Sequence, residues 1–448
     1  MNSHSAHEQS QPTRRHFLRA AGILTAAPYF AWTQSSFANL AKNDRPRIGC
    51  IGTGSMGTGD AEQHAQFGDI VAVCDVDEFH CMRAKYHDRI GKGRADAFED
   101  YRRVLDRSDV DVVSIVTPDH WHVKIAVEAL LAGKHVFCQK PLTLTLEENQ
   151  LIRAACQKHR DLVFFVGTQQ RSDRDRFLRA INMVQQGLLG RISKVTAGID
   201  GSPTGGPFKP EIPPAQLDWY MWLGQAPLVD YINRRCHYEF RWWYEYSGGK
   251  FTDWGAHHVD IALWALGFDK QGSGPVEVDG SDAKHPVTMK DGYPTVDDHY
   301  NTSHDFNVIS RFNDGLELHV TSRGDNGVLF EGEKGRLFVN RGKITGTPIE
   351  ENWDEGKFGE DQLRALYRDK PFEGHKENFF RCIREGGLPV SDVYSHVQTM
   401  NVCHLSAIAA RLGRKIAWDP QSERITDDEQ AARMMARVPR PGFEIPSV

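Results

Sequence analysis

Asp253 and His257 stand four residues apart in the stretch GGKFTDWGAHHVDIALWALG (248–267), which is otherwise apolar and aromatic. At that spacing a carboxylate and an imidazole share one face of a helix, and Asp260, three residues beyond His257, is close enough to orient the ring. Such a group can transfer protons. It can also bind a metal, since Asp253, His257, His258 and Asp260 are all ligand types, with His299 and His304 as spares. Adjacent His257 and His258, however, point about 100° apart on a helix and do not readily meet at one ion. A core helix with a satisfied histidine is the third reading, and it leaves two Asp and two His within eight residues unexplained.

A second set of residues clusters near the N-terminal end. IGTGSMGTG gives Gly52-x-Gly54-x-x-Gly57, with Ser55 and Met56 between, directly after the apolar run RIGC. Gly52 permits a tight turn, Gly54 lets a pyrophosphate approach the backbone, and Gly57 packs helix against strand while the helix N-terminus faces the phosphates. Asp75 closes the next apolar run, 18 residues beyond Gly57. A carboxylate there accepts from ribose hydroxyls and repels a 2′-phosphate, so NAD is expected rather than NADP. Thr117, Pro118 and His122 of TPDHWH, with Asp119 as an N-cap, and Gln139-Lys140-Pro141 leave two later apolar runs. Ligands of parallel sheets bind outside the carboxyl ends of the strands, which places Lys140 where a nicotinamide would lie. No metal is expected in the site.

The elements that must position these groups follow from periodicity. RIGCIG, IVAVCD, VDVVSIVTP, HVFCQKP and LVFFVGTQ read as buried strands, separated by helix-length segments such as Trp121 to Ala132 and Leu146 to His159. Strands apolar on both faces and alternating with helices predict an α/β fold with a doubly wound parallel sheet. In the opening stretch, Gly248-Gly249 supplies a turn, Thr252 or Asp253 an N-cap, and Gly267 a C-terminal stop. Later, FNVISRFNDGLELHVTS and VLFEGEKGRLFVNRGKI read as strand pairs with turns at Asn313-Asp314-Gly315 and Glu333-Lys334-Gly335, and His375 to Arg414 turns helical. INRRCHYEFRWWYEYSGG and LDWYMWLGQ are dense in aromatics that could line a carbohydrate pocket or pack as core.

With 448 residues the chain is long enough for two or three domains. A formal charge of −6 and no basic stripe with interleaved aromatics give no nucleic-acid footprint, leaving small-molecule chemistry as the expectation. The eight cysteines include no CxxC, so no zinc knuckle or thioredoxin-type site is indicated. At the N-terminus TRRHFLR, an apolar run broken by Pro28, and Ser36-Phe37-Ala38 have the order of a cleaved export signal, and Arg14-Arg15 resembles a twin-arginine signal. Residues 1–38 are read as that signal and the mature protein as periplasmic or otherwise exported, with no stable membrane insertion after signal removal.

Taken in order, the glycine motif, Asp75, TP…H, QKP and the Asp253 to His257 spacing resemble the Gfo/Idh/MocA family, named for glucose-fructose oxidoreductase and inositol dehydrogenase, over roughly residues 45 to 440. The resemblance implies an NAD-binding Rossmann domain (45–167) followed by a substrate-binding and oligomerisation α/β domain (168–448) with a large, mostly antiparallel open sheet and C-terminal helices. It also implies a homo-oligomer, dimer or tetramer. The family's catalytic lysine maps onto Lys140 and its Asp-x-x-x-His pair onto Asp253 and His257; Gln139 departs from the usual Glu. On this basis His257 is expected as general acid/base, Lys140 as the group stabilising the substrate oxygen, and Asp253 as their support; Arg241 of the aromatic-rich stretch and Arg171, which ends TQQR, are further candidate substrate contacts read from the residues themselves. The cofactor contacts expected are Gly52, Gly54, Ser55, Met56, Gly57, Asp75, Thr117, Pro118, His122, Gln139 and Lys140. The expected activity is hydride transfer between a sugar, cyclitol or glycoside hydroxyl and tightly bound NAD. The alternatives are a redox-neutral NAD-dependent glycosidase and a sugar-binding protein.

Overall fold

The computed structural model describes residues 45–448. Its first half alternates β1 (Arg47–Ile51), α1 (Ser55–His64), β2 (Asp69–Cys74), α2 (Glu78–Tyr86), β3 (Asp96–Phe98), α3 (Arg102–Leu105), β4 (Val112–Ile115), α4 (His122–Leu131), β5 (His135–Cys138), α5 (Leu146–Lys158) and β6 (Phe164–Val166). The six strands form one parallel sheet in the order β3-β2-β1-β4-β5-β6. Strands that bury both faces need helices on both, and two apolar clusters do this. One is built around Val113, Ile115, Val127 and Ile152, the other around Ile48, Phe137, Phe165 and Phe379.

The second half begins with α6 (Arg179–Gln185), β7 (Ile192–Gly198), α7 (Trp219–Leu223), α8 (Lys250–Asp253) and α9 (Gly255–Leu266). The strands β8 (Glu277–Asp279), β9 (Ala283–Lys284), β10 (Met289–Lys290), β11 (Tyr293–Pro294), β12 (Asp305–Arg311), β13 (Glu317–Thr321), β14 (Gly327–Gly332), β15 (Gly335–Val339) and β16 (Ile344–Gly346) follow. Then come α10 (Thr347–Glu350), α11 (Glu360–Leu366), α12 (His375–Glu385), α13 (Val393–Leu412), β17 (Lys415–Asp419) and β18 (Arg424–Thr426). Ten strands make one mixed sheet, ordered β16-β15-β14-β7-β13-β12-β8-β17-β18 with β9 beside β12. Only β7 and β13 pair in parallel; every other pairing in it is antiparallel. Alternating burial along β12 shows one covered face, and Ile181, Val259, Leu263, Met400 and Leu405 of α6, α9 and α13 pack there against Val195, Val308 and Phe330.

Both expected hairpins form, as β12–β13 and β14–β15. The C-terminal helices are α12 and α13, but the chain then returns as β17 and β18 to extend the sheet beyond β8. Most of the aromatic segments are core rather than platform: Trp222, Trp242, Trp243 and Tyr246 are buried in one cluster with Trp219 and Tyr300. All eight cysteines are buried and unpaired. The export signal expected over residues 1–38 lies outside the described residues. Among the described residues no helix is long and apolar enough to cross a membrane.

Candidate active site

The glycine loop joins β1 to α1 in the form that dinucleotide binding needs. Gly52 has φ +82°, and a Cβ there would lie 2.5 Å from the Val116 carbonyl oxygen; one on Gly57 would lie 1.9 Å from the Gly52 oxygen. No side chain caps α1 at Gly54 and its first turn holds no acidic residue, so its leading N–H groups are left for an anion, with Ser55 and Met56 exposed beside them. At the end of β2 the Asp75 carboxylate accepts from the N–H of Thr53 (2.7 Å) and of Asp77 (3.0 Å). Burial raises its pKa, against those two bonds and nearby His80. The Thr117 hydroxyl, at the end of β4 beside the glycine turn, is buried without a protein partner, an orphan a bound ligand can satisfy. These groups fit NAD.

Lys140 leaves the end of β5 and meets the second half of the chain. Its Nζ donates to Asp253 Oδ1 (2.7 Å) and to the Asp253 carbonyl (2.8 Å). The helix expected to carry Asp253 and His257 is broken: α8 ends at Asp253, Trp254 forms a turn, and α9 starts at Gly255. Asp253 is therefore a last-turn residue with its carbonyl free for Lys140, and not an N-cap; Gly249 occupies that position. Burial alone would raise the Asp253 pKa, but Lys140 and Arg241 hold it well below the usual carboxylate range. Arg241 Nε stands 3.4 Å from Asp253 Oδ1, and its guanidinium is stacked near Tyr238 and Phe240, so this expected substrate contact does reach the site.

His257 is 3% exposed and its Nδ1 has no protein partner. Burial, then the charges of Lys140 and Arg341, hold its pKa well below the ordinary imidazole value, so the ring is neutral. Asp260 does not orient it. Both Asp260 oxygens are taken by Arg171 Nε and Nη2 at 2.7 Å each, with Thr399 adding a third bond (3.1 Å). Arg171 is thereby removed from the substrate contacts: it is 1% exposed, donates also to Val390 O and lies over Trp264.

Two expected cofactor contacts point elsewhere. His122 lies between two carbonyl oxygens, Nδ1 2.7 Å from Pro141 O and Nε2 2.9 Å from Thr117 O, and its single N–H in the neutral ring donates to one of them. Burial brings its pKa down to about 4. The Gln139 side chain is taken up within the protein, its Oε1 accepting from the Lys140 backbone N–H (3.3 Å). Its Nε2 donates to Asp60 Oδ2 (2.6 Å), and Lys376 Nζ donates to Asp60 Oδ1 (2.8 Å). A glutamate there would set carboxylate against carboxylate, which accounts for glutamine before the lysine.

Two residues of the site had no assigned chemistry in the sequence. Asp119, read only as an N-cap, is buried and accepts from Ser247 Oγ (2.6 Å); burial pushes its pKa up to about 7, Ser247 and Arg241 oppose, and Asp253 adds to the rise. Arg341, from the loop between β15 and β16, stacks over Trp254. No local pattern announces it, because it depends on that loop folding back to α9. The histidines and aspartates of 253–260 do not converge as metal ligands: His258 Nε2 is paired with Asn326 (2.8 Å) and His299 with Asp298 (2.6 Å). Among the described residues the trio whose ligand atoms lie within 4.8 Å of one another is Asp77, His80 and His237, away from this cluster.

Comparison with known proteins agrees with this arrangement. Residues 46–168 match the family model described as an oxidoreductase family NAD-binding Rossmann fold, and residues 182–445 match that family's C-terminal alpha/beta domain. The chain is 32% identical over 204 residues to an alpha-N-acetylgalactosaminidase of Shewanella oneidensis and 33% identical over 203 residues to a glycosyl hydrolase family 109 protein of another Shewanella. Each match covers 40% of this chain, and it spans less than half of those relatives, 44% of their length. Similar solved structures include the WlbA dehydrogenase of Bordetella pertussis with NADH and UDP-GlcNAcA (TM-score 0.56, 21% identity, 83% of this chain and 98% of that one). Levoglucosan dehydrogenase with NADH and levoglucosan (TM-score 0.57, 19% identity, 83% and 99%) has the same fold. With a glycine loop built for a dinucleotide, a lysine and histidine brought together from two halves, and both halves matched by the models, the chain belongs to the Gfo/Idh/MocA oxidoreductase family and carries its NAD-binding domain.

Proposed function

We propose that this protein is an NAD-dependent oxidoreductase acting on a CH–OH group of a sugar, cyclitol or glycoside, with residues 45–167 as its cofactor domain and 168–448 as its substrate and oligomerisation domain. The observation that carries the reading is the joining of Lys140, at the carboxyl end of a parallel strand, to Asp253 beside a buried neutral His257. Gly52, Gly54, Gly57, Asp75 and Thr117 would hold the cofactor, whose chemistry when bound is to accept or return a hydride. Lys140 has three N–H donors and uses two on Asp253, leaving one for a substrate oxygen. It stabilises the negative charge that develops there, while Asp253 fixes the ammonium in place. A neutral imidazole with an unpartnered nitrogen takes the hydroxyl proton. Arg241 Nε approaches the same Asp253 oxygen while its Nη1 donates to Tyr238 O (3.0 Å), which leaves Nη2 for substrate.

A redox-neutral glycosidase is the second reading, favoured by the similarity to an alpha-N-acetylgalactosaminidase. One experiment separates them. The purified protein is denatured to identify the cofactor it carries, and the native protein is followed by absorbance while sugars and glycosides are added. Net oxidation leaves reduced cofactor; transient oxidation releases an aglycone with no lasting reduction; release of mainly NADP would defeat the Asp75 argument. We further propose export directed by Arg14-Arg15, with cleavage after Ala38, and assembly as a homo-oligomer. Replacing both arginines by lysine should leave uncleaved precursor in the cytoplasm, and normal processing of that variant would refute the signal.

A further inference from the structure

Four side chains meet at the outer end of β2, and the proton-transfer cluster uses none of them. Asp77 caps α2, its Oδ1 accepting from the N–H groups of Phe79 (3.0 Å) and His80 (3.4 Å). His80 directs Nδ1 toward Asp75 Oδ2 (3.8 Å), and its ring stands over the glycine loop, 3.8 Å from where a Cβ on Gly54 would be. His237 arrives from the other half of the chain. Its Nε2 lies 3.3 Å from Asp77 Oδ2, and its ring meets His80 edge-on at 4.8 Å between centroids.

The junction is tied at a second point. Leu217 bridges Asp77, the Glu78 N–H donates to Gln216 O, and the Asp218 N–H donates to Val76 O, both at 2.9 Å. His237 also has φ +50°, a left-handed conformation that a non-glycine residue holds only when its surroundings fix it. Here Asp77 holds one side and buried Cys236 the other. The imidazole stays 47% exposed, so core packing does not account for the strain.

We propose that His80 and His237 form a two-sided latch over the adenosine half of the bound dinucleotide, so that the second half of the chain retains the cofactor through His237. The inference rests on the NAD-binding reading of the glycine loop and Asp75, which marks the ribose position. Imidazole rings stack on a base and donate to ribose hydroxyls. With one ring on the cofactor domain and the other on the segment that follows β7, the adenosine leaves only when residues 216–240 lift from β2. Retention of this kind suits an enzyme whose cofactor is restored within each turnover.

The test is cofactor release from the full chain. Protein loaded with NADH is mixed with excess NAD, and the loss of bound NADH fluorescence is timed. His237→Ala and His80→Ala should each release NADH ~10-fold faster or more, the loss of one stacking or hydrogen-bond contact. Leu228→Ala, an exposed residue of the same segment, should not change the rate. His237→Gln keeps a donor for Asp77 and serves if His237→Ala does not fold; it too should release faster. A wild type that retains NADH while all three histidine variants release it at the wild-type rate overturns the latch. A wild type that takes up no NADH overturns the cofactor reading itself. Unchanged release combined with zinc-dependent stabilisation would overturn the latch in favour of a metal site at Asp77, His80 and His237.

Discussion

His257 and Asp119 are two buried titratable groups at one site, and burial prepares them in opposite ways. It keeps the imidazole neutral and ready to accept a proton, and it keeps the carboxyl protonated to about pH 7. Removing the imidazole in His257→Ala should lower turnover by ~10²–10⁴-fold, the usual contribution of a general base, with the cofactor still bound. Unchanged turnover would return the residue to the core. Asp119 makes a separate prediction about stability. Its folded pKa, about 7, lies above the unfolded carboxyl value of ~3.9, so the native state binds the proton more tightly. The stabilisation is complete below ~pH 4 and is lost as the pH rises through about 7. Asp119→Asn, neutral at every pH and still able to accept from Ser247, should melt higher than wild type above pH 7, with the gap narrowing as the pH is lowered toward 6. A difference that did not vary with pH would show that the carboxyl is not titrating in the folded state.

At the scale of the element, α9 divides its work. His257 is buried within reach of the Lys140 charge, while Asp260, also buried, fixes Arg171, Thr399 and, through them, the packing of α9 on α13. Breaking a buried, bidentate pair leaves an uncompensated charge and costs about 3–5 kcal/mol. Arg171→Ala should therefore lower Tm by roughly 5 °C while leaving KM unchanged in the folded fraction; a raised KM at unchanged Tm would restore it to the substrate pocket. This is also where sequence reasoning was least informed. The first sheet was legible because both-face burial writes itself as continuous apolar runs, and Gly52 and Gly57 are demanded by local backbone geometry. Lys140 was legible because strand ends of such sheets are where ligands bind. Arg171 and Asp260 are 89 residues apart, and only the folded chain shows that they meet. The same holds for the return of β17 to β8, for Arg341 over Trp254, and for the tryptophans that fill a core. Each depends on a long-range contact that neither periodicity nor a motif records.

For the whole molecule, the buried histidines make one collective prediction about acid. Among the described residues His64, His120, His122, His257, His258, His396 and His404 are buried, and burial depresses every one, to about 3 or 4 where a value is set and well below the ordinary range for His64 and His257. Each therefore stays neutral in the native state while its unfolded counterpart titrates near pH 6.5. Between those values the unfolded chain binds more protons, so stability is fully present above ~pH 6.5 and falls as the pH drops. A tenfold difference in proton affinity between the two states is worth about 1.4 kcal/mol, and native chains hold only about 5–15 kcal/mol in all. Seven such groups all draw on that margin in the same direction as the pH falls. Cooperative unfolding should then occur between about pH 6 and pH 4, seen as loss of tryptophan fluorescence signal in the buried cluster with net proton uptake by the chain. A protein still folded at pH 3 would mean that these rings accept protons in place, and with them His257, whose neutrality the proposed proton transfer requires. Acid lability is in this sense the counterpart of catalysis: the burial that readies one imidazole as a base is shared with six others that lie in the surrounding packing.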